Sequence, residues 1–412
     1  MGFAALIAAY QDAEDGEAQL RALLPMAGRT LLEHQVRRAS AAGASHVVIL
    51  VERVPASLNA AIDRLRRDGI AVDLAREAAD AADRFHPDET VLLVADGLVA
   101  APDCFAAMAA QTAPALLVVV DIAANEAFER VDGERRWAGL ALTDRQTLVE
   151  TAAMLGEWDL QSTLMRKIVQ SAPRFVPVDG EGGAVADARD AVLLADRSAN
   201  SRDAGRAMLA RNRHEDESWP ARFIFPPIIA LAAPPLLDSP VDPFWLRIGA
   251  VVLTMVAAIA FWSGWLWSGL AVLLLAGPLG AIAARIDMAR LRDRSGSWEM
   301  RFGKGAAQGF AILGLGRFFT AQSGESVWLV TAGAAILALV LCARELALYR
   351  RTGADLGALA PLVADGDAAI WLLPAFALLG YWMYWPAAAA LYGVVSIFLL
   401  QNLMREAIRR DA

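Results

Sequence analysis

Cysteine is scarce in this chain. Cys104 and Cys342 are the two among 412 residues, too few for a disulfide framework or for a cysteine-ligated zinc or iron–sulfur centre. The four histidines, His34, His46, His86 and His214, form neither an HxxxH nor an HExxH spacing, so the usual helical metal-ligand patterns are absent. Positive charge is also short: 38 Lys and Arg stand against 46 Asp and Glu, for a formal net charge of −8. That balance argues against nucleic acid as the main partner, because a phosphate backbone is held by clustered cations. There is no internal repeat and no low-complexity tract. What the chain has in quantity is apolar surface, with 57% hydrophobic residues and a mean hydropathy of +0.39. Such values exclude a disordered protein and argue against a purely soluble one.

The apolar residues are unevenly placed. Residues 1 to about 218 mix charged and apolar positions as a soluble α/β domain does, and from Phe223 onward long apolar runs rich in Trp, Gly and Ala take over. The opening MGFAALIAAYQDAED has no basic n-region and an apolar run only about strand length, so it does not read as a signal peptide. The N-terminal half is therefore expected in the cytoplasm. Three segments follow: 1–215 as a cytoplasmic domain, 216–244 as a juxtamembrane or interfacial linker, and 245–412 as a membrane domain.

In the first segment, β-type apolar runs alternate with helical patterns. Phe3–Ala9, His46–Val51, Ile70–Leu74, Thr90–Ala95 and Ala115–Asp121 read as strands, and Thr30–Ala42, Ala56–Arg67 and Pro102–Ala110 as helices between them. Near-continuous apolar strands separated by helices predict a doubly wound parallel sheet covered on both faces. Sheets of this kind bind ligands at the carboxyl ends of their strands, here after Ala9 and after Ala95.

Leu6-Ile7-Ala8-Ala9, Arg21 through Arg29 (RALLPMAGR) and Leu31-Leu32-Glu33-His34 resemble the opening of the sugar-phosphate nucleotidyltransferases. The resemblance implies a nucleotide site in which Arg21 stands at the family's phosphate-neutralising lysine. It also implies magnesium held by Asp96, in Val94-Ala95-Asp96-Gly97, and by Asp187, in Asp187-Ala188-Arg189-Asp190. Two carboxylates of that kind bridge magnesium to a nucleotide while the ion keeps some of its water. The chain departs from the family at its glycine loop. Tyr10-Gln11-Asp12-Ala13-Glu14-Asp15 stands there instead, which sets three carboxylates where a triphosphate would lie.

In the last segment six apolar runs approach or reach spanning length: Ile248–Gly264, Leu266–Ala284, Gly305–Phe319, Val327–Ala343, Ala369–Trp385 and Ala387–Leu403. A span needs about 20 residues, or as few as about 17. The expectation is a six-helix transmembrane bundle. Phe223–Leu237, with two Pro-Pro pairs, reads as an interfacial or broken helix rather than a seventh span. Arg317, near the end of the third run, has to snorkel or face protein. Lys and Arg collect in 285–304, 344–368 and the tail from Arg405, whereas the connections near Trp265, Ala321–Ser326 and Pro386 hold none. This positive-inside asymmetry puts both termini in the cytoplasm and Trp262, Trp265, Trp267, Trp382 and Trp385 in an aromatic belt at the opposite face.

Ser218-Trp219-Pro220-Ala221-Arg222-Phe223, Asp242-Pro243-Phe244-Trp245-Leu246 and Ala289-Arg290 resemble segments of the CDP-alcohol phosphotransferases. The domain order resembles the fusion of an inositol-phosphate cytidylyltransferase with such an enzyme. That resemblance implies headgroup transfer through four aspartates that hold divalent metal, and a homodimer through the membrane helices. With Ala289-Arg290 aligned, the four positions are Ile282, Arg285, Gly303 and Ala307, while Asp287 and Asp293 fall out of register. Too few oxygen ligands remain for a dimetal site, so no cofactor is expected in the membrane half and the transferase chemistry is expected to be lost. Arg285, Arg290, Arg292 and Lys304 are then candidates to hold a lipid or nucleotide phosphate by charge-assisted hydrogen bonds, or an ordinary basic loop at an anionic leaflet. The glycines of Gly305-x3-Gly309, Gly314 and Gly316 read as close-packing positions, and Asp365-Gly366-Asp367 as a helix cap.

The expected function is that of a non-catalytic, transferase-like membrane protein of phospholipid-headgroup or polar-lipid metabolism, binding membrane lipid, a CDP-alcohol or nucleotide, or an active partner. The alternative is an active transferase with a diverged site.

Overall fold

In the computed structural model the chain divides into two units, Met1–Met208 and Leu209–Ala412. All residues are described except 1, 16–18, 156–158, 180–190, 212–217, 238, 240, 292–297, 352–355 and 412.

The first unit is built on a seven-stranded sheet of β1 (Phe3–Ala8), β2 (Ala44–Leu50), β3 (Val72–Ala75), β4 (Thr90–Val94), β5 (Ala115–Val120), β6 (Arg135–Asp144) and β7 (Arg174–Pro177). Their order is β7-β5-β6-β4-β1-β2-β3. The five strands expected from the sequence are β1 to β5. Every residue of β1 is buried, as its unbroken FAALIA run requires of a strand covered on both faces. The pairs β1–β2, β1–β4, β2–β3 and β5–β7 are parallel. The sheet is nevertheless mixed: β6 runs antiparallel to both β4 and β5, which corrects the all-parallel expectation. Helices α1 (Leu31–Ala41), α2 (Ala56–Arg67), α3 (Ala78–Asp83), α4 (Pro102–Ala109), α5 (Arg145–Met154), α6 (Leu160–Gln170) and α7 (Ser198–Arg211) complete the unit.

Local chemistry fixes where these helices start. Thr30 and Glu33 form a capping box on α1, each side chain serving the other's backbone N–H. Asp144 and Asp159 cap α5 and α6 by accepting from Thr147 and Ser162 N–H. The Glu33 carboxylate, fully buried, also accepts two hydrogen bonds from the Arg64 guanidinium, at 2.9 and 2.8 Å, and one from Arg29 at 3.0 Å. Burial pushes this carboxyl up, but the bonds from Arg64 and Thr30 and the two guanidinium charges outweigh it and hold Glu33 at about 2.

The second unit is helical: α8 (Phe225–Leu237), α9 (Pro243–Trp262), α10 (Leu266–Ala289), α11 (Trp298–Ser323), α12 (Val327–Arg351), α13 (Gly366–Leu378) and α14 (Trp385–Asp411). Five stretches among the described residues are long and apolar enough to cross a membrane: Pro220–Leu237, Pro243–Trp262, Leu266–Ala289, Val327–Arg351 and Trp382–Glu406. The set differs from the six expected runs in three ways. Pro220–Leu237 joins it, because a π turn over Pro220–Ile224 leads into α8 just before Pro226-Pro227, residues with no N–H to give. Phe225, Ile229, Ala233 and Leu237 form its buried stripe. The third run lies in α11, whose 26 residues include Glu299, Arg301, Lys304 and Arg317. The fifth is broken. α13 stops after 13 residues, and Gly380 in the left-handed region (φ +77) ends it, with Tyr381 N–H returning to Phe376 O at 2.8 Å.

Two of the four close-packing glycines behave as expected. A Cβ on Gly314 would lie 2.3 Å from the Trp262 indole, and one on Gly316 would lie 2.6 Å from Ala332 Cβ. Gly309 has ordinary clearance from Ile336, and a Cβ on Gly305 would meet open space.

Glu33→Ala should destabilise the first unit by about 3 kcal/mol or more, since it strands two guanidinium groups and removes a capping box. Thermal unfolding of the full chain followed by near-ultraviolet circular dichroism checks this. The Glu33 contribution is present above the ordinary carboxylate range near 4.5 and is lost as pH falls toward about 2, so the variant's deficit should shrink in acid.

Candidate functional site

The best-formed polar corner of the first unit lies where β1 and β4 end. These strands are parallel neighbours with Ile7 opposite Val94, so the segments after Ala9 and after Ala95 leave the sheet side by side. Asp96 Oδ2 accepts from the backbone N–H groups of Tyr10 at 2.8 Å and Gln11 at 2.7 Å. The Asp96 N–H donates to Gln161 Oε1 at 2.9 Å. From α1, Gln35 Nε2 donates to both Ala95 O and Leu98 O at 2.9 Å and pins the turn that carries Asp96. Tyr10 OH donates to Asp159 Oδ1 at 2.6 Å and accepts from Gln161 Nε2 at 3.0 Å. Gly97 has φ +79, and a Cβ there would lie 2.8 Å from Ala195 O. The glycine thus lets Val192–Leu194 pair antiparallel with Leu98–Ala100 and lets Ala195 N–H donate to Gly97 O at 2.7 Å.

Arg21 reaches the same corner. Its guanidinium donates to Gln11 Oε1 at 2.8 Å and to Asp12 O at 3.1 Å. The structure brings Arg21 and Asp96, 75 positions apart in sequence, to one corner, where the Arg21 charge acts on the Asp96 carboxyl. Asp187 falls outside the described residues.

Asp96 is 2% exposed, and its Oδ1 has no hydrogen-bond partner among the described residues. Burial pushes its carboxyl up to about 7, against the Gln11 and Tyr10 N–H groups and the Arg21 charge, which favour the ionised form. A buried oxygen without a partner is costly. It fits magnesium as one ligand, since that ion is held by one or two carboxylates and keeps several waters. Asp159 is not a second ligand, because its oxygens already serve Tyr10 and the α6 cap. Bound there, magnesium would neutralise a phosphate. The described residues of this corner supply one carboxylate for it, Asp96, and one nearby guanidinium, Arg21.

The acidic loop beside this corner is occupied internally. Asp12 pairs with Arg53. Glu14 Oε2 accepts from Arg197 at 2.6 and 2.9 Å. Asp15 Oδ2 accepts from the Ser198 N–H at 2.7 Å, at the start of α7, where unsatisfied N–H groups favour an anion. That bond and the Arg197 charge hold Asp15 below the ordinary carboxylate range. These carboxylates tie the loop to Arg53 and to residues 197–198. The loop is a structural tether.

In the second unit, two of the four expected phosphate-binding cations are engaged by protein groups. Arg290, 7% exposed, donates to Leu237 O at 3.3 Å, Ser239 O at 3.1 Å and Val241 O at 3.0 Å. It thereby closes the carbonyl end of α8. Lys304 Nζ donates to Asp367 Oδ2 at 2.6 Å, and Gln308 Nε2 donates to Asp367 Oδ1 at 2.9 Å. Asp365 caps α13 by accepting from Ala368 N–H at 2.6 Å, the role its sequence position predicts. Asp287, the nearest carboxylate on α10, is buried and paired with Arg247 of α9. Arg285 is buried on α10, and Arg292 lies outside the described residues. Among the register positions, Ile282 and Ala307 are buried apolar residues. Sequence reasoning missed Gln35, Gln161, Asp159, Arg247 and the pairing role of Asp367. Only Asp367 carried a visible signal, as the second acid of Asp-Gly-Asp.

No protein-family model matches this sequence, and no curated protein matches it.

Two outcomes follow from this geometry. Because Asp96 sits near 7 when folded and in the ordinary range near 3.8 when unfolded, its contribution to stability is complete below pH 3.8 and is lost as pH rises toward about 7. Asp96→Asn should abolish that component, worth roughly 4 kcal/mol at most, so its melting temperature should fall less than that of the natural chain between those limits. Arg290→Lys keeps the charge but has no planar fork to span three carbonyls. It should cost about 2 kcal/mol, read as a lower melting temperature in neutral detergent.

Proposed function

We propose that this chain is a membrane protein of phospholipid-headgroup or polar-lipid metabolism in which a cytoplasmic nucleotidyltransferase-like domain is joined to a CDP-alcohol-phosphotransferase-like helical domain, and that it works by binding rather than by transferring a headgroup. In this reading both termini are cytoplasmic, the helical domain forms the homodimer, and the occupant is membrane lipid, a CDP-alcohol or nucleotide, or an active partner.

One observation carries the reading. Three carboxylates of the helical unit are already engaged: Asp287 by Arg247, Asp367 by Lys304 and Gln308, Asp365 by the α13 backbone. A charged diphosphate leaving group needs divalent metal or an equivalent cationic site inside a low-dielectric region. Here Arg290 is engaged with carbonyls and Lys304 with a carboxylate, and among the described residues no cluster of three or more His, Cys, Asp or Glu could hold a metal ion for that chemistry.

A second reading, an active nucleotidyltransferase with a diverged site, is favoured by the corner at Asp96, where a buried oxygen faces no partner beside Arg21. The two readings part in one experiment. Full-length protein in nanodiscs, given magnesium with a CDP-alcohol and a polyol phosphate, should release no CMP above a protein-free control. Given CTP and a sugar or inositol phosphate, it should release no pyrophosphate. CMP release defeats the binding role of the helical domain. Pyrophosphate release abolished by Asp96→Ala establishes the second reading.

A further inference from the structure

The end of the helical unit remote from Arg290 carries one cation. Between Gly305 and Ala343 the sequence holds a single Lys or Arg, Arg317, and a single acid, Glu325. Arg317 is exposed on α11, and no carboxylate among the described residues lies within ion-pair distance of it. A charged side chain on the lipid-facing surface of an apolar helix is costly unless it reaches the interface and finds an anion.

Its setting is built by neighbouring residues. Trp262, the last residue of α9, lies against α11, with its ring stacked on Phe310 at 5.0 Å between centroids and 19° between planes. Its indole N–H donates to Phe310 O at 3.2 Å. Phe310, Gly314 and Arg317 fall on one face of α11 by their i, i+4, i+7 spacing, and Gly314 supplies the slot, since any Cβ there would collide with the indole. The Arg317 guanidinium sits over the same indole, 5.4 Å from the ring centroid, so the contact is a cation–π one. Because Trp262 ends α9, it marks the depth at which the helices leave the apolar zone. Trp265 and Trp267, at the turn into α10, are 69% and 58% exposed, as residues of an interfacial belt are. Arg317 lies about 9 Å below the end of α11 at the helical rise, and its long side chain brings the charge to that belt.

We propose that Arg317, seated on Trp262, binds the phosphate of an anionic phospholipid headgroup in the leaflet at this end of the helical unit. The chemistry is complementary: a planar guanidinium pairs with phosphate through parallel charge-assisted hydrogen bonds, and the indole prevents the side chain from folding back onto apolar surface. This site is independent of the role assigned to either domain above.

Native mass spectrometry of the full chain tests it, with phosphatidylglycerol, phosphatidylcholine and inorganic phosphate as separate probes. Phosphatidylglycerol should bind the natural chain more tightly than phosphatidylcholine. Arg317→Gln should weaken the tightest phosphatidylglycerol equilibrium on the order of tenfold and leave phosphatidylcholine unchanged, while Arg317→Lys should retain part of the preference. Excess inorganic phosphate should not displace the lipid. Equal phosphatidylglycerol binding by Arg317→Gln overturns the proposal. Displacement by inorganic phosphate overturns the lipid as source, and conversion of a dimer to a monomer by Arg317→Gln shows that the residue faces a second copy instead. Trp262→Phe, which keeps a stacked ring of smaller face, should give an intermediate loss, and no loss in any of these variants counts against the site.

Discussion

Charge taken out of water has to be answered within a few ångströms, and the helical unit answers it almost entirely from its own backbone and side chains. Arg290 closes the end of α8 by holding the last helix carbonyl, Leu237 O, and two carbonyls of the segment that follows, Ser239 O and Val241 O. Lys304 and Asp367 cancel each other between α11 and α13. Arg247 and Asp287 do the same between α9 and α10. Each arrangement joins helices that would otherwise meet only through apolar contacts, which give little directional preference inside a bilayer. These pairs and capping bonds fasten the bundle and leave Asp287, Asp367 and Lys304 engaged with one another's helices.

The first unit treats its charges by the same rule with one exception. Its acidic loop is tethered through Arg53, Arg197 and the start of α7, and Glu33 is enclosed by two guanidinium groups and a cap. Among the carboxylates of the described residues, Asp96 retains a buried oxygen with no partner, as the Gln35 amide oxygen also does, although Gln35, Gln161 and two backbone N–H groups hold the turn in place. A carboxyl that is both fixed and incompletely satisfied is a candidate for a ligand. The first unit thus keeps one fixed, incompletely satisfied carboxyl, whereas in the helical unit Asp287, Asp365 and Asp367 are each engaged by protein groups.

Local patterns made the sheet legible. Unbroken apolar runs identified β1 to β5, and the placing of Asp96 just beyond β4 followed from the carboxyl-end rule alone. The antiparallel β6 escaped because RRWAGLALTD opens with two arginines, carries Gly139 in its middle and passes straight into α5, although Asp132-Gly133 marks the turn before it. Asp365 was readable as a cap because its partner N–H is three residues away. Arg290 was not readable as one, since the carbonyls it serves lie about fifty residues earlier and become its neighbours only when α8 packs on α10. The same reason hid Arg247 and Gln161. Pro220–Leu237 reads from its prolines as an interfacial or broken helix, and the structure shows a π turn running into a helix long and apolar enough to cross a membrane. Gly305 and Gly309 share the spacing of close-packing glycines, yet the partner helix approaches at Gly314 and Gly316 instead.

The account turns on how many divalent ions this protein seats and where. Manganese, a paramagnetic stand-in for magnesium, added to the full chain in nanodiscs and read by electron paramagnetic resonance, measures this directly. The expected spectrum contains one class of isolated bound ion, lost in Asp96→Asn. A spin-coupled pair of ions that survives Asp96→Asn would place a dinuclear centre in the helical domain and contradict the account.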